Sequence, residues 1–190
     1  QQVSCGKPIA GVEVKVVNPQ GASLYDMAVG EVLVRSNSML TEYYKRADLN
    51  PFDAEGWYRT GDRGYLLDGE VYIIGRSKDL IINAGKNVYP QDIEAIVNGV
   101  AGIHAGRAVV FGVPDEREGT ELIAVVAEVD TQDPEERRQI LQAIRQTVVQ
   151  QSEVTVNFVK LVAGGWLIKT SSGKIARSQN RDKWLSEQAQ

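Results

Sequence analysis

Apolar and polar residues alternate along Val12-Glu13-Val14-Lys15-Val16-Val17, the period of a half-buried β-strand. Asn18-Pro19-Gln20-Gly21 follows with turn chemistry. Gly30 precedes a second strand, Glu31-Val32-Leu33-Val34-Arg35. A third runs through Gly69-Glu70-Val71-Tyr72-Ile73-Ile74, after a turn at Leu67-Asp68-Gly69. Strands separated by polar turns predict an antiparallel sheet or a small distorted barrel up to about residue 74.

Beyond Gly75 the period changes. Pro90-Gln91-Asp92-Ile93-Glu94-Ala95-Ile96-Val97 opens with proline and early acids, a favourable helix start, and its apolar residues 93, 96 and 97 keep helical spacing. Strand-like runs follow at roughly 106–113 and 121–129. Asp133 is a natural N-cap for a second helix with Pro134 in its first turn and one apolar stripe, Ile140, Leu141, Ile144 and Val148. A strand near 154–162, a polar loop at 164–174 and a last helix from about Ala176 to Ser186 complete the reading. The fold class is therefore α+β: a β-rich, barrel-like part over residues 1–75, then a small α+β domain over 76–190. No glycine-serine linker separates them, so any domain movement would turn on a few hinge residues near 76–80.

Composition narrows the class. The 190 residues suffice for one ordinary domain or two small ones, and 43% hydrophobic against 24% charged residues is a normal balance for a soluble globular protein. The longest apolar runs, such as Leu122–Ala127, are far too short to cross a bilayer, and no basic-then-apolar leader opens the chain. A single cysteine, Cys5, allows no internal disulfide, which suits a reducing, cytoplasmic compartment. The net charge of −4 argues against nucleic acid as a partner. The chain opens Gln1-Gln2-Val3-Ser4 without an initiator methionine, which points to a fragment of a longer protein.

Three segments carry candidate chemistry. In Tyr58-Arg59-Thr60-Gly61-Asp62, set between strands, the carboxylate would suit paired ribose hydroxyls; a turn acid capping a strand end is the simpler alternative. In Gly75-Arg76-Ser77-Lys78-Asp79, Arg76 could meet a ribose or phosphate, or the charges could be a solvated cluster. Lys169-Thr170-Ser171-Ser172-Gly173-Lys174-Ile175 presents a lysine beside glycine and hydroxyls, which suits contact with developing negative charge. It is not a P-loop, since Ile168 and Ile175 stand where that motif needs glycine and Ser/Thr. Arg177, Arg181 and Lys183 read as solvating the last helix and complementing its C-terminal dipole. His104, the only histidine, reads as part of a surface turn, or as help to a base near a thiol. No cysteine or histidine cluster has metal-ligand spacing.

The order and spacing of these segments resemble the adenylate-forming (ANL) superfamily of acyl-CoA synthetases, fatty acyl-AMP ligases, luciferases and peptide-synthetase adenylation domains. Gly6-Lys7-Pro8, Gly11–Val14, Gly30-Glu31-Val32 and Thr41-Glu42-Tyr43-Tyr44 extend the resemblance over essentially the whole chain. It implies the C-terminal part of an enzyme that joins a carboxylic, fatty-type acid to ATP and passes the acyl group to a thiol. The acceptor would be coenzyme A or the phosphopantetheine of an acyl carrier protein. By resemblance, Asp62 and Arg76 bind ribose, Lys78 is the hinge, Gly85 lines the pantetheine channel and Lys174 is the catalytic lysine. Lys86 would lie near a coenzyme A phosphate or on the open surface. Asn87–Glu94 most resembles the fatty acyl-AMP ligase branch. Mg²⁺ would arrive with the ATP phosphates, with no metal site on the chain itself.

The resemblance also implies what is missing. The phosphate-binding glycine loop, the adenine-contacting segment and the acyl pocket would lie upstream in an N-terminal half, leaving these residues inactive alone. Ile168 departs from the proline common before the lysine loop, which predicts a less rigid loop. Two other readings compete: a non-catalytic module that docks a carrier protein or regulates a partner, and one half of a split enzyme.

Overall fold

The computed structural model describes residues 2–46 and 48–188. The first strands lie where the alternation places them: β1 (Val12–Val17) pairs antiparallel with β2 (Gly30–Ser36), matching Val14 to Val34 and Val16 to Val32. β3 (Tyr58–Leu67) and β4 (Glu70–Arg76) complete an antiparallel sheet in the order β1-β2-β3-β4. Val17, Leu33 and Trp57 form a small buried cluster in this unit. Lys15 and Arg35 each place a cation 4.4 Å from the Trp57 ring centre, covering the indole with charge-bearing but apolar-stemmed side chains.

The chain divides into two compact units, Gln1–Lys78 and Asp79–Gln190. The second opens with a hairpin, β5 (Ile81–Asn83) and β6 (Lys86–Val88), then α1 (Pro90–Asn98). Its main sheet holds β7 (Ala108–Asp115), β8 (Thr120–Glu128) and β9 (Phe158–Val162), with β8 central. β7 and β8 are antiparallel; β8 and β9 are parallel, joined through α2 (Pro134–Ser152) as a parallel pair requires.

Helices cover this sheet on both faces. Val110, Ile123, Val125 and Ala127 pack with α1 and α2 through Ile93, Val97, Ile140, Ile144 and Val148. Val109, Phe111, Ala124 and Val126 pack with Trp184 of α3 (Arg177–Gln188). This explains why Ile123–Ala127 is apolar without alternation: a strand buried on both faces has no solvent side to mark.

Two helix starts follow the expected chemistry. Pro90 opens α1, and the Asp133 side chain accepts from the Glu135 amide while Pro134 opens α2. β9 starts later than the sequence pattern predicts. Asn157 donates its amide to Ile123 O and accepts the Ile123 amide on its side-chain oxygen, both at 2.9 Å, so a side chain replaces one rung of the ladder.

Asp133→Ala is expected to lower the stability of the second unit by about 1 kcal/mol, with Asp133→Asn close to neutral because asparagine caps equally well. Urea unfolding of the chain and both variants measures this; equal losses would show that the cap is not what holds the α2 start.

Candidate functional site

Tyr58–Asp62 lies inside β3, not between strands as the sequence reading placed it. The ladder is nevertheless broken there. Glu31 pairs with Arg63 but Leu33 pairs with Arg59, so β3 spends extra residues opposite β2 and Thr60-Gly61-Asp62 bulge out. Thr60 repairs the gap: its hydroxyl donates to Val32 O at 2.7 Å and accepts the Asp62 amide at 3.0 Å. The bulge lifts Asp62 to face Arg76 across the β3–β4 pair, with Arg76 Nε 3.0 Å from Asp62 Oδ1. The two proposed ribose ligands are thus brought together. Asp62 keeps 30% of its side chain accessible, enough to accept a second partner. The nearby Tyr58 hydroxyl meets that of Tyr43 at 2.9 Å, and this hydrogen bond, with some burial, raises the Tyr58 pKa above its ordinary value.

The charged stretch after Gly75 is not one solvated cluster. Ser77–Asp79 form a single 3-10 turn, Arg76 pairs back to Asp62, and Asp79 pairs forward to Arg177 within the second unit. Lys78 between them is exposed and is the last residue of the first unit.

Gly85 sits in the two-residue turn of the β5–β6 hairpin. Ala84 and Gly85 have φ of 48° and 77°, the twist a type I′ hairpin turn needs, and a Cβ on Gly85 would meet nothing within 4 Å. The glycine answers first to the backbone of this turn. The hairpin is fastened to the start of β8, where Ile82 donates its amide to Glu121 and Ala84 donates its amide to Thr120 Oγ1. Lys86 is exposed on β6.

Lys174 is exposed near the tip of a tight hairpin closed by the isolated pair Lys169 and Ile175. Thr170 N donates to Lys174 O at 2.8 Å, Gly173 N donates to Thr170 O at 2.8 Å, and Thr170 Oγ1 accepts the Lys174 amide at 3.2 Å. Gly173, at φ 82°, closes the turn in the left-handed region. Ile168 does not loosen the base of this hairpin. Unlike proline it has an amide, and that amide donates to the side-chain oxygen of Asn180 at 2.9 Å.

Sequence reasoning missed the groups that hold these pieces. Arg177 is the first residue of α3, so the C-terminal dipole role expected for it is wrong: the basic residue stands at the opposite, N-terminal end. Its guanidinium donates to Val110 O at 3.0 Å, to Asp79 at 2.6 Å and to both Glu94 oxygens at 2.9 Å. Two carboxylates outweigh the unfavourable helix end. Lys183 likewise turns inward, donating to Trp166 O at 2.8 Å. Glu128, 2% exposed, accepts the amides of Gly165 and Leu167 on the approach to the lysine hairpin. A charge is visible in sequence; the partners that bury it are not.

The remaining candidates have plain surroundings. His104 Nε2 lies 2.7 Å from Asp130 Oδ1 at the turn before β7, and Cys5 is exposed. Among the described residues no group of three or more His, Cys, Asp and Glu is placed to hold a metal ion, and no helix is long and apolar enough to cross a membrane.

Known proteins resemble this chain in sequence and in fold. No protein-family model matches the chain. A medium-chain-fatty-acid–[acyl-carrier-protein] ligase, JamA, of Moorena producens is 38% identical over 96% of the chain. A fatty acid–[acyl-carrier-protein] ligase, ScoC, of Streptomyces coeruleorubidus is 35% identical over 98% of it. Among solved structures, one from a study of fatty acyl-adenylate ligases from E. coli and L. pneumophila superposes with a TM-score of 0.86 at 32% identity, covering 99% of this chain and 33% of that one. The chain spans 33% and 35% of the length of the two curated relatives, about a third of each. By sequence and by fold the chain belongs to the adenylate-forming (ANL) superfamily, whose C-terminal region it matches.

Arg177→Met is expected to destabilise the second unit by on the order of 2–3 kcal/mol, less than a fully buried pair loses, because the guanidinium is 21% exposed and partly screened. Urea unfolding checks it; a loss within about 0.5 kcal/mol would place Arg177 with ordinary surface residues.

Proposed function

We propose that the chain is the C-terminal part of an AMP-forming acid–thiol ligase that activates a carboxylic, fatty-type acid. The observation that carries this reading is the exposed Lys174 on a hydrogen-bonded hairpin, in a chain whose relatives are named as fatty acid–carrier protein ligases. Those names favour the phosphopantetheine thiol of a carrier protein as acceptor, with coenzyme A as the alternative of the same chemistry.

In the first half-reaction a carboxylate oxygen attacks the α-phosphorus of ATP. The new O–P bond replaces the bond to the bridging oxygen, and pyrophosphate leaves. Negative charge spreads over the carboxylate and phosphate oxygens, and the Lys174 ammonium is the group that offsets it. Asp62 accepts from the ribose hydroxyls, and Arg76, released from part of its pairing with Asp62, reaches the ribose or phosphate. In the second half-reaction the thiol sulfur attacks the acyl carbon and AMP leaves. The second unit turns about Lys78 between the two steps, bringing the Gly85 hairpin beside the pantetheine arm in place of Lys174. Mg²⁺ would travel on the ATP phosphates, shielding their charge. On this reading the acyl pocket and the phosphate-binding loop lie in the part of the relatives' length that the chain does not match, and the 190 residues alone are expected to leave ATP unchanged.

The test is ATP–pyrophosphate exchange by the full-length protein over a panel of carboxylic acids. Lys174→Ala is expected to lower exchange by about 10²–10³-fold, the usual effect of removing one preorganised charge contact. Thioester formation from a supplied acyl-adenylate should stay within about twofold of wild type, since that step does not use the contact. Equal loss in both steps would remove Lys174 from the role, and no exchange with any acid would favour a non-catalytic carrier-docking module.

A further inference from the structure

Among the described residues the Lys174 ammonium has no hydrogen-bond or ion-pair partner, so only the backbone that carries it limits where it can reach. That backbone has two legs, ending at Ile168 and Ala176 on either side of the Lys169–Ile175 pair. Both legs converge on one side chain. Asn180, fully buried on the second turn of α3, accepts the Ile168 amide on Oδ1 and donates through Nδ2 to Ile168 O and to Ala176 O, each at 2.9 Å. The two legs also bond each other, with Ala176 N donating to Ile168 O at 3.0 Å.

We propose that Asn180 is the positioning residue of the Lys174 hairpin: it fixes the backbone from which the ammonium reaches by gripping both legs at once. This rests on the reading of Lys174 as the catalytic lysine. The chemistry of the grip is specific to a carboxamide, which offers one acceptor oxygen and two N–H donors from a single planar group. Aspartate has the same shape but keeps only the acceptor, and sets a negative charge against two carbonyl oxygens. Leucine or alanine supplies neither function: the Ile168 amide loses its partner, and Ile168 O and Ala176 O keep only their backbone donors, Ala176 N and Asn180 N. The grip also depends on residue 168 having an amide, which isoleucine supplies and proline does not. Glu128 steadies the approach to the first leg through Gly165 and Leu167, but touches neither Ile168 nor Ala176.

The test has two readouts on the full-length protein. Hydrogen exchange follows the Ile168 and Ala176 amides; in Asn180→Ala they should exchange more than about tenfold faster while the α2 amides stay protected. Adenylation kinetics should show kcat lower by about 10–100-fold through misplacement of the ammonium, with KM for ATP and the thioester step within about twofold of wild type. Asn180→Leu, close in size and with neither function, is expected to behave alike and serves where the alanine variant does not fold. Ile144→Val, in the core on the opposite face of the sheet, is the control for general destabilisation and should leave kcat unchanged. Unchanged exchange at Ile168 and Ala176 overturns the proposal. So does freed exchange with wild-type kcat, when Lys174→Ala in the same assay has lost its activity. Full adenylation by Lys174→Ala would instead remove the functional reading, leaving the exchange data to decide whether Asn180 holds the hairpin.

Discussion

The second unit depends on one guanidinium. Arg177 joins Asp79, the first residue of the unit, to Glu94 on α1 and Val110 on β7, from the start of the helix that follows the lysine hairpin. Glu94 also accepts the Val110 amide at 2.9 Å, so the carboxylate and the arginine both engage the same residue of β7. Each bond is charge-assisted or spares a buried carbonyl from being unpaired, and such groups hold geometry more strictly than apolar packing does. The residue beside the proposed hinge and the helix beside the proposed catalytic lysine therefore share one anchor.

The first unit solves a different problem. In a regular ladder the pleat would fix the direction of the Asp62 side chain, the carboxylate proposed to accept from ribose hydroxyls. The β3 bulge frees Asp62, and Thr60 satisfies the groups the bulge would otherwise strand. Arg76 then neutralises Asp62 without enclosing it. The pair is stable as it stands and can still be shared with a ligand.

How far the fold was legible follows from these same residues. Alternation found β1 and β2, and the local chemistry of Pro90, Asp133 and Pro134 found α1 and α2, because those signals act over a few neighbouring positions. β3 was missed at Tyr58–Asp62, since Arg59-Thr60-Gly61-Asp62-Arg63-Gly64 carries no apolar period; the bulge that sets the site also erases its pattern. The β5–β6 hairpin escaped because its strands are three residues each. The order of motifs found the candidate site residues, but not their supports. Arg177 and Glu94 are 83 positions apart and Asp79 is 98 from Arg177, so only the folded chain reveals that these charges are one cluster. Nothing in the sequence sets Asn180 apart from the other polar residues of α3, and Ile168 looked like a loss of stiffness until its amide was seen to have a use.

Trp166 gives the region a further property. It lies two residues before Ile168, with the Lys183 ammonium 4.0 Å from its ring centre and its indole N–H donated to Glu187 at 3.2 Å. The other two indoles are buried, Trp57 in the first unit and Trp184 beneath the sheet. The fluorescence of a half-exposed ring held by a cation and a carboxylate answers to displacement of those neighbours. The protein thus carries its own optical reporter beside the lysine hairpin, readable without any added label.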